Sequence, residues 1–214
     1  MAEILVLAAH PQLQHSRITR HLMRALRTLA TGATTGATTQ PPSRIELRDL
    51  YARYPDYLID VAAEQQALAA ARLVVWLHPV YWYSMPPLMK LWLDEVFAFG
   101  WAYGPGGVAL CGKDLWLVAS TGGPASSYHP TSYNRYFFDA FLPPYEQTAA
   151  LTGLRWLPPL LLHGTQTVTE LELTQHSDTF VQRLMSWPDW PEIAALPATL
   201  PCTVPGDARP AARS

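Results

Sequence analysis

The chain has 214 residues, 49% of them apolar and only 15% charged, which favours one domain with ample material for a buried core. Fifteen basic against seventeen acidic side chains leave a net charge of −2, without the basic surplus of a nucleic-acid binder or the strong acidity of a small electron carrier. No apolar run nears the ~20 residues of a membrane span, the start of the chain lacks a signal-peptide design, and Cys111 and Cys202 share no metal-ligand or disulfide spacing; the expectation is a soluble cytoplasmic protein.

Glu3 to Ala9 is an apolar run short enough for a buried strand, ended by His10-Pro11. Arg17 to Ala30 carries Ile18, Leu22, Ala25, Leu26 and Leu29 at helical spacing. Thr31 to Ser43, TGATTGATTQPPS, nearly repeats itself and reads as an inserted surface loop. Arg44 to Leu50 alternates in the manner of a half-buried strand. Asp60 caps a helix to about Ala71, and Leu73 to Leu77 is a continuous apolar strand. After the loop His78 to Met85, Pro86-Pro87 opens a helix to about Phe99, where Gly100 is placed to end it. Lys113 to Ser120 gives a fourth strand. Pro143 to Thr152 is a helix closed by Gly153, and Leu154 to His163 is a fifth strand interrupted by Pro158-Pro159. Thr169-x-x-Glu172 is a capping box before a last helix to about Ser186. Trp187 to Ser214 holds six of the twenty prolines and no clear period, so the domain is expected to span 1–186, with a proline-rich, poorly ordered tail over 187–214.

Strands alternating with helices predict an α/β fold: a doubly wound, five-stranded parallel sheet of order 2-1-3-4-5 with helices on both faces. Ligands of such sheets bind at the carboxyl ends of the strands, around the switch point. The loops that matter therefore follow Ala9, Leu77 and Ser120.

In the first loop His10 stands at the strand end, and Ser16, Arg17, Ile18 and Thr19 open the next helix. Free N–H groups and the positive dipole end make an anion site there; equally, Ser16 is an ordinary N-cap and His10 a polar strand terminator. The second loop carries Val80, Tyr81, Trp82 and Tyr83. Three consecutive rings cannot all enter a core, so they form either a stacking wall for a ligand or an interface patch. The third loop, Ser120-Thr121-Gly122-Gly123, offers close backbone approach and two N–H donors for a carbonyl or a developing anion, or is a plain turn.

An anion site, an aromatic wall and a donor pair suit a phosphate-bearing planar cofactor, and flavin mononucleotide has that shape. No metal site is expected, since the seven histidines are scattered and HExxH is absent. GxxxxGK[ST] and Gly-x-Ser-x-Gly are absent too, and Gly104-x-Gly106-x-x-Ala109 lies after a helix and before a strand, the wrong context for a dinucleotide fingerprint.

The strings AHP…HS (9–16), DLYARYPDYLIDVAAEQQAL (49–68), WLHPVYWYSMPPLMKLWLDEVFAFGWAYGPGG (76–107), STGG (120–123) and GLRWLPP (153–159) resemble the flavodoxin-like NAD(P)H:quinone oxidoreductases. The likeness is greatest to the ancillary oxidoreductases of glutathione-regulated potassium-efflux systems. It runs from about residue 3 to 186 and covers neither the TGATTGATT insertion nor the proline-rich tail. The resemblance implies a homodimer with a flavin at each of two sites, and two-electron reduction of quinones by NAD(P)H through hydride transfer to the flavin. It leaves FMN and FAD, and NADH and NADPH, as alternatives. A second role it implies is that of a regulatory flavin-binding subunit of a membrane potassium-efflux transporter, held at the inner face of the cell membrane by that partner.

Carried over by the resemblance, His10 and Ser16 to Thr19 match the phosphate loop, Val80 to Tyr83 the loop beside the flavin ring, and Ser120 to Gly123 the loop at its pyrimidine end. Tyr103, with Trp101 and the run Gly104 to Gly107, lies where relatives reach across the dimer. A Tyr and a His six residues apart stabilise the reduced flavin in better-known quinone reductases. Here Tyr128 falls at the first position and Asn134 at the second; His129 adjoins Tyr128 and would point elsewhere. Gly122, Gly123 and Tyr128 are expected to meet the charge of the reduced flavin, with Tyr128 at a solvent-accessible rim.

Overall fold

The computed structural model describes residues 2–30 and 44–196. Five parallel strand positions form one sheet. β1 (Ile4–Ala8), β2 (Ile45–Asp49), β3 (Leu73–Pro79) and β4 (Asp114–Thr121) are continuous, and the fifth position is split into β5 (Arg155–Trp156) and β6 (Leu160–His163), both paired with β4. The order is β2-β1-β3-β4-β5, as the alternation of strands and helices predicts. Pro158-Pro159 causes the split, because proline cannot donate to a ladder; the Pro158 carbonyl instead accepts from the Trp116 indole at 3.1 Å.

The central strands are buried on both faces, so they read as unbroken apolar runs. Leu5, Leu7, Val74, Trp76, Leu115 and Leu117 face one core, packed against α2 (Leu50–Arg53), α3 (Val61–Ala70), α4 (Pro87–Val96) and α5 (Pro143–Thr152). Ile4, Val6, Val75, Leu77, Trp116 and Val118 face the other, against α1 (Ile18–Ala30) and α6 (Glu170–Ser186). Each such side chain contributes about 1.5–3 kcal/mol on full burial. Local signals set the helix ends as expected: Asp60 accepts from the Ala63 N–H, Gly153 closes α5 at φ 71°, and Thr169 and Glu172 form the capping box.

The expected boundary at 186 is corrected. Trp187 and Trp190 are buried in the second core, and α7 (Pro191–Ala195) follows. The Trp187 indole donates to Asp114 at 2.8 Å, Trp190 meets Trp116 edge to face at 5.0 Å, and Arg183 pairs with Glu192. Proline-rich spacing hid this, since the segment is anchored by single large side chains rather than by a periodic face. The rest of the expected tail, 197–214, and the insertion 31–43 lie outside the described residues. β3 also runs two residues past its predicted end, so His78 and Pro79 are buried strand residues paired with Ala119 and Ser120.

Candidate active site

The carboxyl ends of β1, β3 and β4 enclose a cleft of about 480 Å³, lined by residues of all three expected loops: His10, Ser16, Arg17 and Ile18; Val80 and Tyr81; Ser120 and Gly122. Thr165 and Gln166, from the turn after β6, complete it. Thr19, Trp82, Tyr83, Thr121, Gly123 and Tyr128 are not among its lining residues.

At the first loop both readings of Ser16 prove compatible. Its Oγ accepts from the Thr19 N–H at 3.1 Å, as a cap does. The N–H groups of Arg17 and Ile18 have no acceptor among the described residues and lie at the cleft, at the positive end of α1. Unpaired amides at a helix start are a geometry that can receive an anion. The Arg17 guanidinium, expected to add a charge, donates instead to the Val168 carbonyl at 3.0 Å and to Glu170 at 2.6 Å, tying the loop to the start of α6. His10 accepts from the Gln12 N–H through Nδ1, which puts the proton of the neutral ring on Nε2; burial holds its pKa below the usual histidine value. Its ring meets Tyr81 edge to face at 6.2 Å.

The second loop is a tight turn in which Tyr81 and Ser84 exchange backbone hydrogen bonds. Trp82 (φ 48°) and Tyr83 (φ 65°) both occupy the left-handed region, which costs about 1–2 kcal/mol for each non-glycine residue. The three rings consequently part ways. Tyr81 turns to the cleft, Trp82 is 93% exposed, and Tyr83 stacks on Phe141 at 4.9 Å. The N–H groups of Trp82 and Tyr83 have no protein acceptor among the described residues.

Asn134 holds this turn to the third loop. It accepts from the Tyr83 hydroxyl at 3.2 Å and donates to Ser127 Oγ at 2.8 Å. At the third loop a Cβ on Gly123 would meet the hydroxyls of Ser127 and Tyr133 at 2.7 and 2.8 Å, so a larger residue there would displace those side chains. A Cβ on Gly122 would meet nothing within 4 Å, and Gly122 lines the cleft with no protein atom against that face. Neither glycine N–H has a protein acceptor among the described residues.

Tyr128 does not sit at a solvent-accessible rim. It is 9% exposed, caged by Phe138, Phe141 and His163, with its hydroxyl beside Thr121. Burial raises its pKa, so the hydroxyl stays a donor. His129 turns away, as expected, bonding Thr131 and meeting Phe137. A different histidine comes in: His163, at the end of β6, joins Thr121 Oγ1 through Nδ1 at 2.8 Å, and the same hydroxyl donates to the Gly123 carbonyl at 2.8 Å. Sequence reasoning missed Asn134 as a bracket and His163, Thr165 and Gln166 as neighbours. The rule applied to strands one, three and four, extended to the fifth strand, would have found the last three. Trp101 and Tyr103 pack on their own core, and Tyr103 meets Phe99 edge to face at 5.6 Å. No cluster of potential metal ligands occurs among the described residues.

A doubly wound α/β sheet thus carries, at its switch point, a helix start, an aromatic turn and a glycine pair whose amides have no protein acceptor among the described residues. The chain belongs to the family described as flavodoxin-like fold, which matches residues 2–184. It is 45% identical over 184 residues, 86% of this chain and 96% of the relative, to the glutathione-regulated potassium-efflux system ancillary protein KefF of Citrobacter koseri. Among solved structures it is similar to general stress protein 14 of Treponema denticola in complex with FMN, with 33% identity and a TM-score of 0.76 over 86% of this chain and 98% of that one. It is also similar to an NADPH-quinone reductase of P. pentosaceus, with 25% identity and a TM-score of 0.71 over 85% and 96%. No helix among the described residues is long and apolar enough to cross a membrane.

Proposed function

We propose that the protein is a flavin-dependent NAD(P)H:quinone oxidoreductase that holds FMN in the cleft. The observation that carries this reading is the convergence, around one cavity of about 480 Å³, of the helix-start amides, Tyr81 and the unobstructed face of Gly122. The FMN complex of the Treponema relative and the reductase from P. pentosaceus support it.

Flavin, when bound, would supply the two-electron redox chemistry between NAD(P)H and a quinone. The chain supplies placement and charge. The amides of Arg17 and Ile18, with the dipole of α1, would hold its phosphate, and Ser16 keeps the helix start in shape. Tyr81 and Val80 would wall the ring, and Gly122, with Gly123 beside it, would offer N–H donors to the negative charge of the reduced ring. Tyr128 and His163 act from behind, through Thr121, to fix that loop.

The similarity to KefF supports a second role, a regulatory flavin-binding subunit of a potassium-efflux transporter, and the two roles are compatible. Trp82, Tyr133, Tyr136 and Phe137 leave large apolar side chains in solvent near the cleft, which favours a second subunit covering them in a homodimer.

The test is the spectrum of the purified protein and the mass of the released cofactor, followed by Gly122→Ala. That variant should keep the fold and lose at least tenfold in flavin affinity. A colourless protein that binds no added FMN, or unchanged affinity in Gly122→Ala, overturns the assignment. Light scattering at assay concentration tests the dimer; a monomer with full activity would rule it out.

A further inference from the structure

A second cleft, of about 370 Å³, opens on the other side of His10, between α1, the Pro11–Gln14 turn and the β2–α2 junction. We propose that it receives the adenosine half of the dinucleotide cosubstrate, that its arginines bind a 2′-phosphate, and that the protein therefore selects NADPH over NADH. The inference rests on the NAD(P)H-dependent reading above.

Its volume lies within the ~300–1,000 Å³ of small-molecule pockets, and its charge is unlike the rest of the chain. Arg20, Arg24 and Arg27 line it from one stripe of α1, at spacings of four and three residues. They are three of fifteen basic residues in a protein of net charge −2. The acid that lines it is Asp49, whose Oδ1 is engaged by the Ala52 N–H at 3.2 Å. Arg20 donates to the Gln14 carbonyl at 2.7 Å, which fixes the wall of the cleft and holds that guanidinium at its edge. The Arg24 side chain has no hydrogen bond or ion pair among the described residues. Like charges stacked along one helical face repel, and a bound dianion reverses the sign of that term. Planar guanidinium forks match phosphate oxygens in pairs, which makes arginine the fitting residue for a phosphomonoester.

The remaining walls suit a nucleoside. Leu13 and Met23 are apolar, and Tyr51 offers a ring whose hydroxyl, pushed up to about 12 by burial, stays uncharged. His10 lines both clefts, so one extended dinucleotide can place a phosphate here and its reactive ring beside Tyr81. Free phosphate would use the arginines but not these walls. NADH would use the walls but not the arginines.

The probes are adenosine 2′,5′-bisphosphate and 5′-AMP, titrated calorimetrically into the holoprotein, alongside kcat/KM for NADPH and NADH with one quinone. We expect the bisphosphate to bind at least tenfold more tightly than 5′-AMP. Arg24→Ala should lower that affinity, and the NADPH-to-NADH ratio of kcat/KM, by about tenfold; Arg24→Lys should restore part of each. Equal binding of the two probes, or no change in Arg24→Ala, overturns the proposal, as would a released cofactor identified as FAD that Arg24→Ala loosens. If the protein holds no flavin and oxidises neither dinucleotide, the enzymatic reading fails, while selective, Arg24-dependent binding of the bisphosphate still reports the site.

Discussion

Two polar regions of the molecule are built on opposite terms. Glu64, fully buried under α4, is engaged on every side: Arg48 donates to it at 2.6 Å, the Trp92 indole at 3.0 Å and the Tyr54 hydroxyl as well, and Arg53 pairs with it at 3.2 Å. At the cleft the amides of Arg17, Ile18 and Gly122 have no protein acceptor among the described residues, nor has that of Gly123 beside it, and in the adjoining turn Trp82 and Tyr83 sit in the left-handed region. Burial explains the first arrangement, because an unpaired charge in the core is among the most costly defects a fold can carry. Solvent access allows the second: open donors near water cost little until a ligand displaces that water. A region whose donors are all used stabilises; one whose donors are left over recognises.

The largest effect should come from breaking the closed region. Glu64→Ala takes the shared acceptor from the buried Trp92 and Tyr54 donors and leaves Arg48 only Glu46 and the Ala63 carbonyl, and should cost about 3–5 kcal/mol in denaturant unfolding. A loss below 1 kcal/mol would mean that the network is not what holds α3 to β2. Next is His78, buried and stacked on Tyr145, with its pKa lowered to about 4 by desolvation. Its folded pKa lies below the unfolded value of 6.5, so the unfolded chain binds the proton more readily. The stability this residue contributes is thus present above pH 6.5 and is lost as pH falls towards 4, by roughly 3 kcal/mol at ~1.4 kcal/mol per unit. His78→Phe should flatten that part of the stability profile; an unchanged slope would assign the acid sensitivity to other buried histidines.

In the open region the effects should fall on binding and leave stability alone. Ser16→Asp keeps a good N-cap, so melting should move little, while the added carboxylate repels a phosphate at the start of α1. Flavin absorbance per chain should drop, with affinity down at least tenfold; normal occupancy would sink the phosphate-site assignment. The smallest change should come from Tyr128→Phe, which removes one hydroxyl from behind the glycine loop. Flavin reduction by NAD(P)H in stopped flow should slow by tenfold or less, ~1.4 kcal/mol at most. Three decades would make that hydroxyl central. No change at all would leave Thr121 and His163 to hold the loop unaided.

Much of this contrast was legible in the chain itself. Apolar runs such as LVVWL, the capping box at Thr169 and Glu172, and Gly153 after a helical stretch are local signals, and local signals fix strand and helix identity. Alternation of those elements fixed the sheet order, and the order fixed which three loops would meet. What the sequence left open were outcomes of long-range packing. Whether Ser16 caps a helix or serves an anion depends on neighbouring amides that only the fold orients. Arg17 finds Glu170, 153 residues away, and its guanidinium is paired there. Trp187 and Trp190 enter the core because Asp114 and Trp116 offer them a partner and a surface, which no periodicity in a proline-rich segment encodes. Asn134 and His163 acquire partners in the same way, across loops that meet in three dimensions. The arginines of α1 show the division most sharply. Their spacing is written in the chain, yet a helical stripe of charge is ordinarily just a solvated face. Only the Pro11–Gln14 turn and Tyr51, folding over it from elsewhere, turn that stripe into the wall of a cleft.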